Sequence, residues 1–301
     1  MTTIRETRNT SMIDDRRGRG GGGGAGFPGL GGGGMGFPMK AGGGIIGVIV
    51  MIAVIVLPQL LGGEGTSIPG LGTPSLGAPA GEAGSGNSDE TCDDELESIL
   101  CGATIDVQEF WIREFEAAGR EYPVTKTVFF SGFTSTGCGN ASAQTGPFYC
   151  PADNLVYFDL DFLVQLQQQF GATGDLASQY IVAHEYGHHV QNVLGISDQV
   201  REAQRDTPSR ANEYSVALEL QADCLAGVWA HDADRRGQFD RGEIAEALEA
   251  AAAVGDDRIQ METQGRTDPE TFTHGTSEQR QTWFTRGFET GDIDSCNTFE
   301  N

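Results

Sequence analysis

Basic residues are scarce in this 301-residue chain: 19 Lys and Arg stand against 43 Asp and Glu, a formal net charge of −24. That deficit argues against nucleic acid and anionic lipid as ligands, since both carry the protein's own sign. Histidine is scarcer still, with five copies, so a pattern that uses several of them is not an accident of composition. Cysteine is absent before position 92, and no Cys-x-x-Cys pair occurs. The usual all-sulfur zinc site is thereby excluded. No internal repeat is present, which removes solenoids and propellers. Residues 1–44 lack any apolar period. This Gly-rich stretch, interrupted by Phe27-Pro28 and Phe37-Pro38, has too little apolar surface to offset its ordering entropy and reads as a disordered tail. Its run Arg16-Arg17-Gly18-Arg19-Gly20-Gly21 imitates an RNA-binding Arg-Gly tract, but it is short and the rest of the chain is acidic.

One stretch lacks charge altogether. From Ala41 to Leu61 there are 21 uncharged residues, long enough to span a bilayer, and we expect a transmembrane helix over 45–61. Gly-rich flanks leave it nothing to pack against as a core element. A cleaved signal peptide fits less well: Ala78-Pro79-Ala80 lies far beyond the apolar run, and more than forty residues precede it. Arg5, Arg8, Arg16, Arg17, Arg19 and Lys40 come before the span, leaving 13 of the basic and 40 of the acidic residues after it. The positive-inside rule then predicts a single-pass protein of the cell membrane, with a cytoplasmic N-terminus and the rest outside the cytoplasm. All six cysteines follow the span, as an oxidising compartment requires. The expected pairs are Cys92–Cys101 and Cys138–Cys150, which close local loops, and Cys224–Cys296, which pins the C-terminal tail.

Residues 62–90 read as a flexible Gly/Pro/Ser linker, and 91–301 as the folded domain. A helix is expected over Asp93–Ala118, strands over Pro123–Phe130, Phe148–Cys150 and Leu155–Phe158, and a short helix over Asp161–Gln169. Longer helices are expected from Asp175 to Leu194, from Pro208 to His231, from Asp240 or Gly242 to Val254, and from Ser277 to Phe288. Helix, strands, then helices give an α+β fold, mainly helical with a small β-sheet.

The chemistry centres on His184-Glu185-Tyr186-Gly187-His188. Histidines four apart on a helix share a face and can reach one metal ion, and Glu185 can reach a metal-bound water as general base. A third ligand is needed. Position 194 is leucine and position 191 glutamine, so the class that takes a third histidine six residues on is excluded. The next helix carries Glu219 and Asp223, four apart and flanked by Val216, Leu218, Leu220, Ala222, Leu225 and Trp229. Carboxylates on so apolar a helix need a partner. Glu219 is the expected third ligand and Asp223 the acceptor for a ligand histidine's free N–H. His231 lies about 18 Å further along the axis, and Glu213 faces the other way. Asp232-x-Asp234-x-Arg236-Gly237-x-x-Asp240-x-x-Glu243 imitates a calcium loop, but arginine at its fifth position supplies no oxygen.

The segments His184-Glu185-Tyr186-Gly187-His188-His189-Val190-Gln191 and Leu220-Gln221-Ala222-Asp223-Cys224-Leu225-Ala226-Gly227 resemble signature segments of the bacterial neutral zinc metallopeptidase family. So do Cys138-Gly139 through Gly146-Pro147-Phe148-Tyr149-Cys150-Pro151, Gly255-Asp256-Asp257-Arg258-Ile259 and His274-Gly275-Thr276-Ser277-Glu278-Gln279-Arg280. The Glu-x-x-x-Asp arrangement is also similar to that of the gluzincin membrane metalloproteases of prenyl-protein processing and heat shock. The resemblance implies a zincin-like endopeptidase domain that binds Zn2+ through His184, His188 and Glu219, uses Glu185 as base and takes peptide or protein substrates. His274 is the candidate donor to the tetrahedral oxyanion, ahead of Tyr186, Tyr214 and Arg280. His189 points about 100° from His188 and reads as a packing residue. An extended substrate is expected to pair with residues 146–149. The rival expectation is a catalytically inactive zincin-fold binding module or envelope scaffold.

Overall fold

A computed structural model describes residues 10–17, 91–142, 145–164, 174–240 and 242–299. The chain starts with strand β1 (Ile13–Asp15) and helix α1 (Glu95–Ala117), followed by β2 (Lys126–Phe130), β3 (Phe133–Thr136), β4 (Gly139–Ser142), β5 (Phe148–Cys150) and β6 (Leu155–Asp159). The second half is helical: α2 (Asp175–Val193), α3 (Ile196–Asp206), α4 (Ala211–Arg235), α5 (Glu243–Ala253), α6 (Asp256–Gln264) and α7 (Ser277–Thr290). The fold is therefore mixed α+β and mostly helical. One sheet has the order β1-β2-β6-β5, and β3 and β4 form a separate hairpin. β1, β2 and β6 run parallel, while β5 is antiparallel to β6.

Capping chemistry sets several ends. The Asp94 side chain accepts from the Glu97 amide at the start of α1. Thr276 and Gln279 form a reciprocal capping box on α7. Gly195, with φ 77°, takes the left-handed conformation that separates α2 from α3. Helix α2 is buried on nearly every side, packed by α1, α4, α5 and β5. Trp111, Trp229, Tyr180, Tyr186, Phe129 and Phe158 are fully buried around it, each contributing roughly 1.5–3 kcal/mol from apolar burial. All three expected disulfides form: Cys92–Cys101, Cys138–Cys150 and Cys224–Cys296.

Several expectations change. The 1–44 tail was expected to be disordered throughout, yet residues 10–17 are ordered against the domain. Ile13 is buried in the main core, and the Met12 carbonyl accepts from the Thr127 amide at 2.9 Å. The edge of β2 supplies the backbone partners that the short segment lacks alone. The helix expected from Pro208 opens as a 3-10 turn over Pro208–Arg210 and becomes α-helical at Ala211. Helix α3, helix α6 and the β3–β4 hairpin are additions. Of the helix expected over Asp161–Gln169, residues 161–164 are helical and the rest lies outside the described residues. The span at 45–61 and the linker at 62–90 also lie outside them. Among the described residues no helix is long and apolar enough to cross a membrane.

Helices α4 and α7 meet at glycines. A Cβ on Gly227 would stand 2.1 Å from the Phe284 carbonyl oxygen, and one on Gly287 would stand 2.0 Å from that of Cys224. Both obstacles are backbone, so a methyl group must push the helices apart. Gly227→Ala is expected to cost about 3 kcal/mol of stability, measured by urea denaturation. A loss below about 1 kcal/mol would contradict this packing.

Candidate metal centre

The centre forms where α2 crosses α4. A Cβ on Gly187 would lie 3.1 Å from the Ala222 carbonyl oxygen and 3.2 Å from its Cα, so glycine allows the two helices to touch. His184 and His188 then face Glu219 and Asp223. His184 Nε2 lies 3.2 Å from one Glu219 carboxylate oxygen, and His188 Nε2 lies 3.4 Å from the other. One ligand atom from each of the three residues falls within 4.8 Å of the others. Ligands about 2.0–2.1 Å from a tetrahedral zinc stand about 3.3 Å apart, and the two histidine–carboxylate spacings are of that size, each to a different Glu219 oxygen. Two imidazoles and one carboxylate are also a donor set suited to zinc.

Each imidazole is fixed from behind. His184 Nδ1 donates to Asp223 Oδ1 at 2.8 Å. Asp223 is fully buried and also accepts from the Tyr180 hydroxyl at 2.5 Å and from Arg280 through Nε at 2.8 Å and Nη2 at 2.9 Å. His188 Nδ1 donates to Gln191 Oε1 at 2.8 Å. The Gln191 amide nitrogen donates to the Leu218 carbonyl and to Gln221 Oε1. Two acceptors around that nitrogen fix the amide orientation, so its oxygen must face His188. Both rings therefore aim Nε2 at Glu219; on His184 that nitrogen donates to the carboxylate while the ring is protonated, and its lone pair becomes free for a metal when the proton leaves.

The electrostatics favour a cation. Burial alone would lower the His184 pKa, but the Asp223 and Glu219 carboxylates outweigh it and push it up to about 10 in the metal-free protein. Burial raises Glu219, yet the positive charge of His188 and His274 and the histidine hydrogen bonds hold it well below 4.5. Asp223 is drawn down to about 2 because Arg280 and His184 outweigh its burial. Two carboxylates thus face one permanent cation, Arg280, and the pocket takes up a proton on His184 where no metal is present. In the metal-free protein the stability from that raised pKa is complete below about pH 6.5 and is lost as pH rises through about 10.

Glu185 follows His184 on α2 and is 7% exposed. His274 precedes α7. Its Nδ1 lies 3.2 Å from Asp256 Oδ1, and its backbone amide donates to Asp256 Oδ2 at 2.6 Å. Asp256 also accepts from the Thr273 and Gly275 amides, which pins the loop. Burial lowers the His274 pKa, but Glu219 and Asp256 outweigh it and raise it. The three weaker alternatives to His274 are placed otherwise. The Tyr186 hydroxyl contacts Thr127 Oγ1 at 3.0 Å, Tyr214 lies under the Arg210 guanidinium, and Arg280 is bonded to Asp223. His189 Nε2 donates to the Pro123 carbonyl at 2.8 Å and packs against Tyr149 and Tyr122. Arg236, in the calcium-loop imitation, is bonded to Asp106 and Asp232. Sequence reasoning missed Gln191, Tyr180 and Asp256. Gln191 lies three residues after His188 on the same helix face, a spacing that was available as a signal.

Comparisons with known proteins bear on the chain's family. The family model described as "Putative neutral zinc metallopeptidase" matches residues 2–299. The chain is similar to "Uncharacterized protein YpfJ" of Escherichia coli K12, at 42% identity over 295 residues covering 97% of this chain and 96% of that protein. It is also similar to "Uncharacterized protein Rv2575" of Mycobacterium tuberculosis H37Rv, at 53% identity over 181 residues covering 56% of this chain and 60% of that protein. No solved structure matches.

Adding Zn2+ to the metal-free protein at pH 7 is expected to release protons, chiefly from His184. The measurement is calorimetric titration in buffers of different ionisation enthalpy, and a buffer-independent heat would refute it. Gln191→Ala is expected to weaken Zn2+ binding by about 10- to 100-fold, read by competition with a chromophoric chelator.

Proposed function

Since the chain belongs to the putative neutral zinc metallopeptidase family, we propose that it is a zinc-dependent endopeptidase with a zincin-like, gluzincin-type domain. The observation that carries this reading is the convergence of His184 Nε2 and His188 Nε2 on the Glu219 carboxylate, at 3.2 and 3.4 Å. His184, His188 and Glu219 would hold the ion, leaving a fourth position for water and substrate. A bound zinc supplies Lewis acidity and lowers the pKa of its water toward 7.

The other work falls to the protein. Glu185 accepts a proton from the attacking water and delivers it to the departing amine nitrogen. His274 donates to the oxyanion that forms on the former carbonyl oxygen, and Asp256 orients its ring. Asp223, held by Arg280 and Tyr180, keeps His184 in the tautomer with Nε2 free. The substrate runs extended along β5, which ends the sheet next to α2. Main-chain hydrogen bonds to that edge would fix the scissile carbonyl regardless of side chain. The Tyr149 hydroxyl accepts from Asn192 of α2 at 3.0 Å, which ties the edge to the metal-bearing helix.

The same proposal places the domain outside the cytoplasm, held at a membrane through the uncharged stretch at 41–61. Three intramolecular disulfides with no free cysteine among the described residues support an oxidising compartment.

Glu185→Gln is expected to retain one zinc per chain while kcat/KM on a peptide library falls at least about 10³-fold. Wild type that binds zinc but cleaves no faster than this variant would leave the binding-module reading. His274→Ala is expected to lower kcat by about 10²-fold with KM little changed. A rise in KM alone would assign His274 to substrate binding.

A further inference from the structure

The N-terminal segment touches four elements of the domain. Its backbone pairs with β2 in parallel register, Ile13 with Thr127, Asp14 with Val128 and Asp15 with Phe129. The Arg16 amide donates to the Phe129 carbonyl at 2.8 Å. The Arg16 guanidinium lies 5.5 Å from the ring centre of Tyr157 on β6 and 3.4 Å from the Ser135 carbonyl on β3. Gln108 of α1 meets Met12. Arg17 forms ion pairs with Asp15 and with Glu97 of α1.

Glu97 is the independent sign that this is a built seat. Its side chain is 5% exposed, and a carboxylate so placed needs a cation. Arg17 is the one that reaches it, while the Cys92 amide supplies a further hydrogen bond at 3.1 Å. Without residues 12–17, Glu97 loses its counter-ion, Ile13 leaves the core and β2 presents a bare edge. The domain is constructed to receive this segment.

That construction fixes topology. A single crossing at 41–61 would put residues 10–17 and the domain on opposite faces of a hydrocarbon layer about 30 Å thick. Linker length cannot remove that separation. A second copy cannot donate the strand either, since its own N-terminus would lie on the same wrong side. We propose that residues 12–17 share a compartment with the folded domain, so that the stretch at 41–61 does not part the two by a single crossing. This inference rests on the sheet and not on the peptidase reading.

The test uses the full chain in intact cells. Thr2→Cys and Gln199→Cys are each placed in the otherwise unchanged protein, Gln199 being exposed on α3. Each is treated with a membrane-impermeant maleimide before lysis and again after lysis in denaturant. The expected result is that both positions label in the same condition, either both before lysis or both only after it. If one labels in intact cells and the other only after lysis, the proposal is overturned. Docking itself is read separately by thermal unfolding. Arg17→Glu is expected to lower Tm by about 5 °C, with at least half of the loss recovered when Glu97→Arg is added. An unchanged Tm for Arg17→Glu would also overturn the proposal. Neither measurement depends on peptide cleavage, so failure here and failure of the enzymatic reading are distinct results.

Discussion

The centre depends on one buried charge. Asp223 has no contact with water, and an unpaired carboxylate in that position would cost several kcal/mol. The cost is met by four donors: two from Arg280, one from Tyr180 and one from His184. These come from α7 and α2, so satisfying a side chain of α4 fixes three helices relative to one another. Because His184 uses Nδ1 for this bond, its Nε2 must face outward, toward Glu219 one turn earlier on α4. The position of the candidate metal site is thus a consequence of neutralising Asp223.

Short bonds between buried helices demand short distances between their axes. Gly187 gives that distance at the α2–α4 crossing, and Gly227 with Gly287 gives it at the α4–α7 crossing. Glycine within a helix costs about 1 kcal/mol relative to alanine, and here it allows polar side chains from different helices to meet. The Cys224–Cys296 disulfide lies in the same stretch of α4, next to Asp223. The Gln221 amide also reaches the Cys296 carbonyl. The C-terminal tail therefore braces the stretch of α4 that carries Glu219 and Asp223.

Much of this was legible because helical spacing is rigid. Residues 184, 188, 219 and 223 repeat at four, and that spacing alone puts each pair on one face. The disulfides were legible from loop length and the need to anchor a tail. Helices α3 and α6 were not, because their burial is slight: Val200 and Gln204 on one, Asp256 and Gln260 on the other. On α6 no apolar stripe marks the period, and on α3 the pair Ile196 and Val200 is short and set among charged residues. The β3–β4 hairpin is built from Thr, Ser, Gly and Asn, which resemble a loop in composition. Asp256 reaches His274 through a contact across eighteen residues, which no local spacing encodes. Strand β1 is the extreme case. Its three residues gain their structure from an edge more than a hundred positions away.

The two ends of the main sheet are treated differently, and this bears on how a peptide would approach. An open strand edge is a general template for pairing with other chains. The β2 edge is covered by the protein's own β1, tied down by Arg17 and Ile13. Among the described residues β5 ends the other side, and that side packs on α2 through Tyr149 and Asn192. With β2 covered, β1 is itself the edge at that end, three residues long. In the proposed reading, a peptide that pairs with β5 lies on a strand bonded to the helix of His184 and His188 through Tyr149 and Asn192, whereas the residues of β2 already have their main-chain partner in residues 12–17.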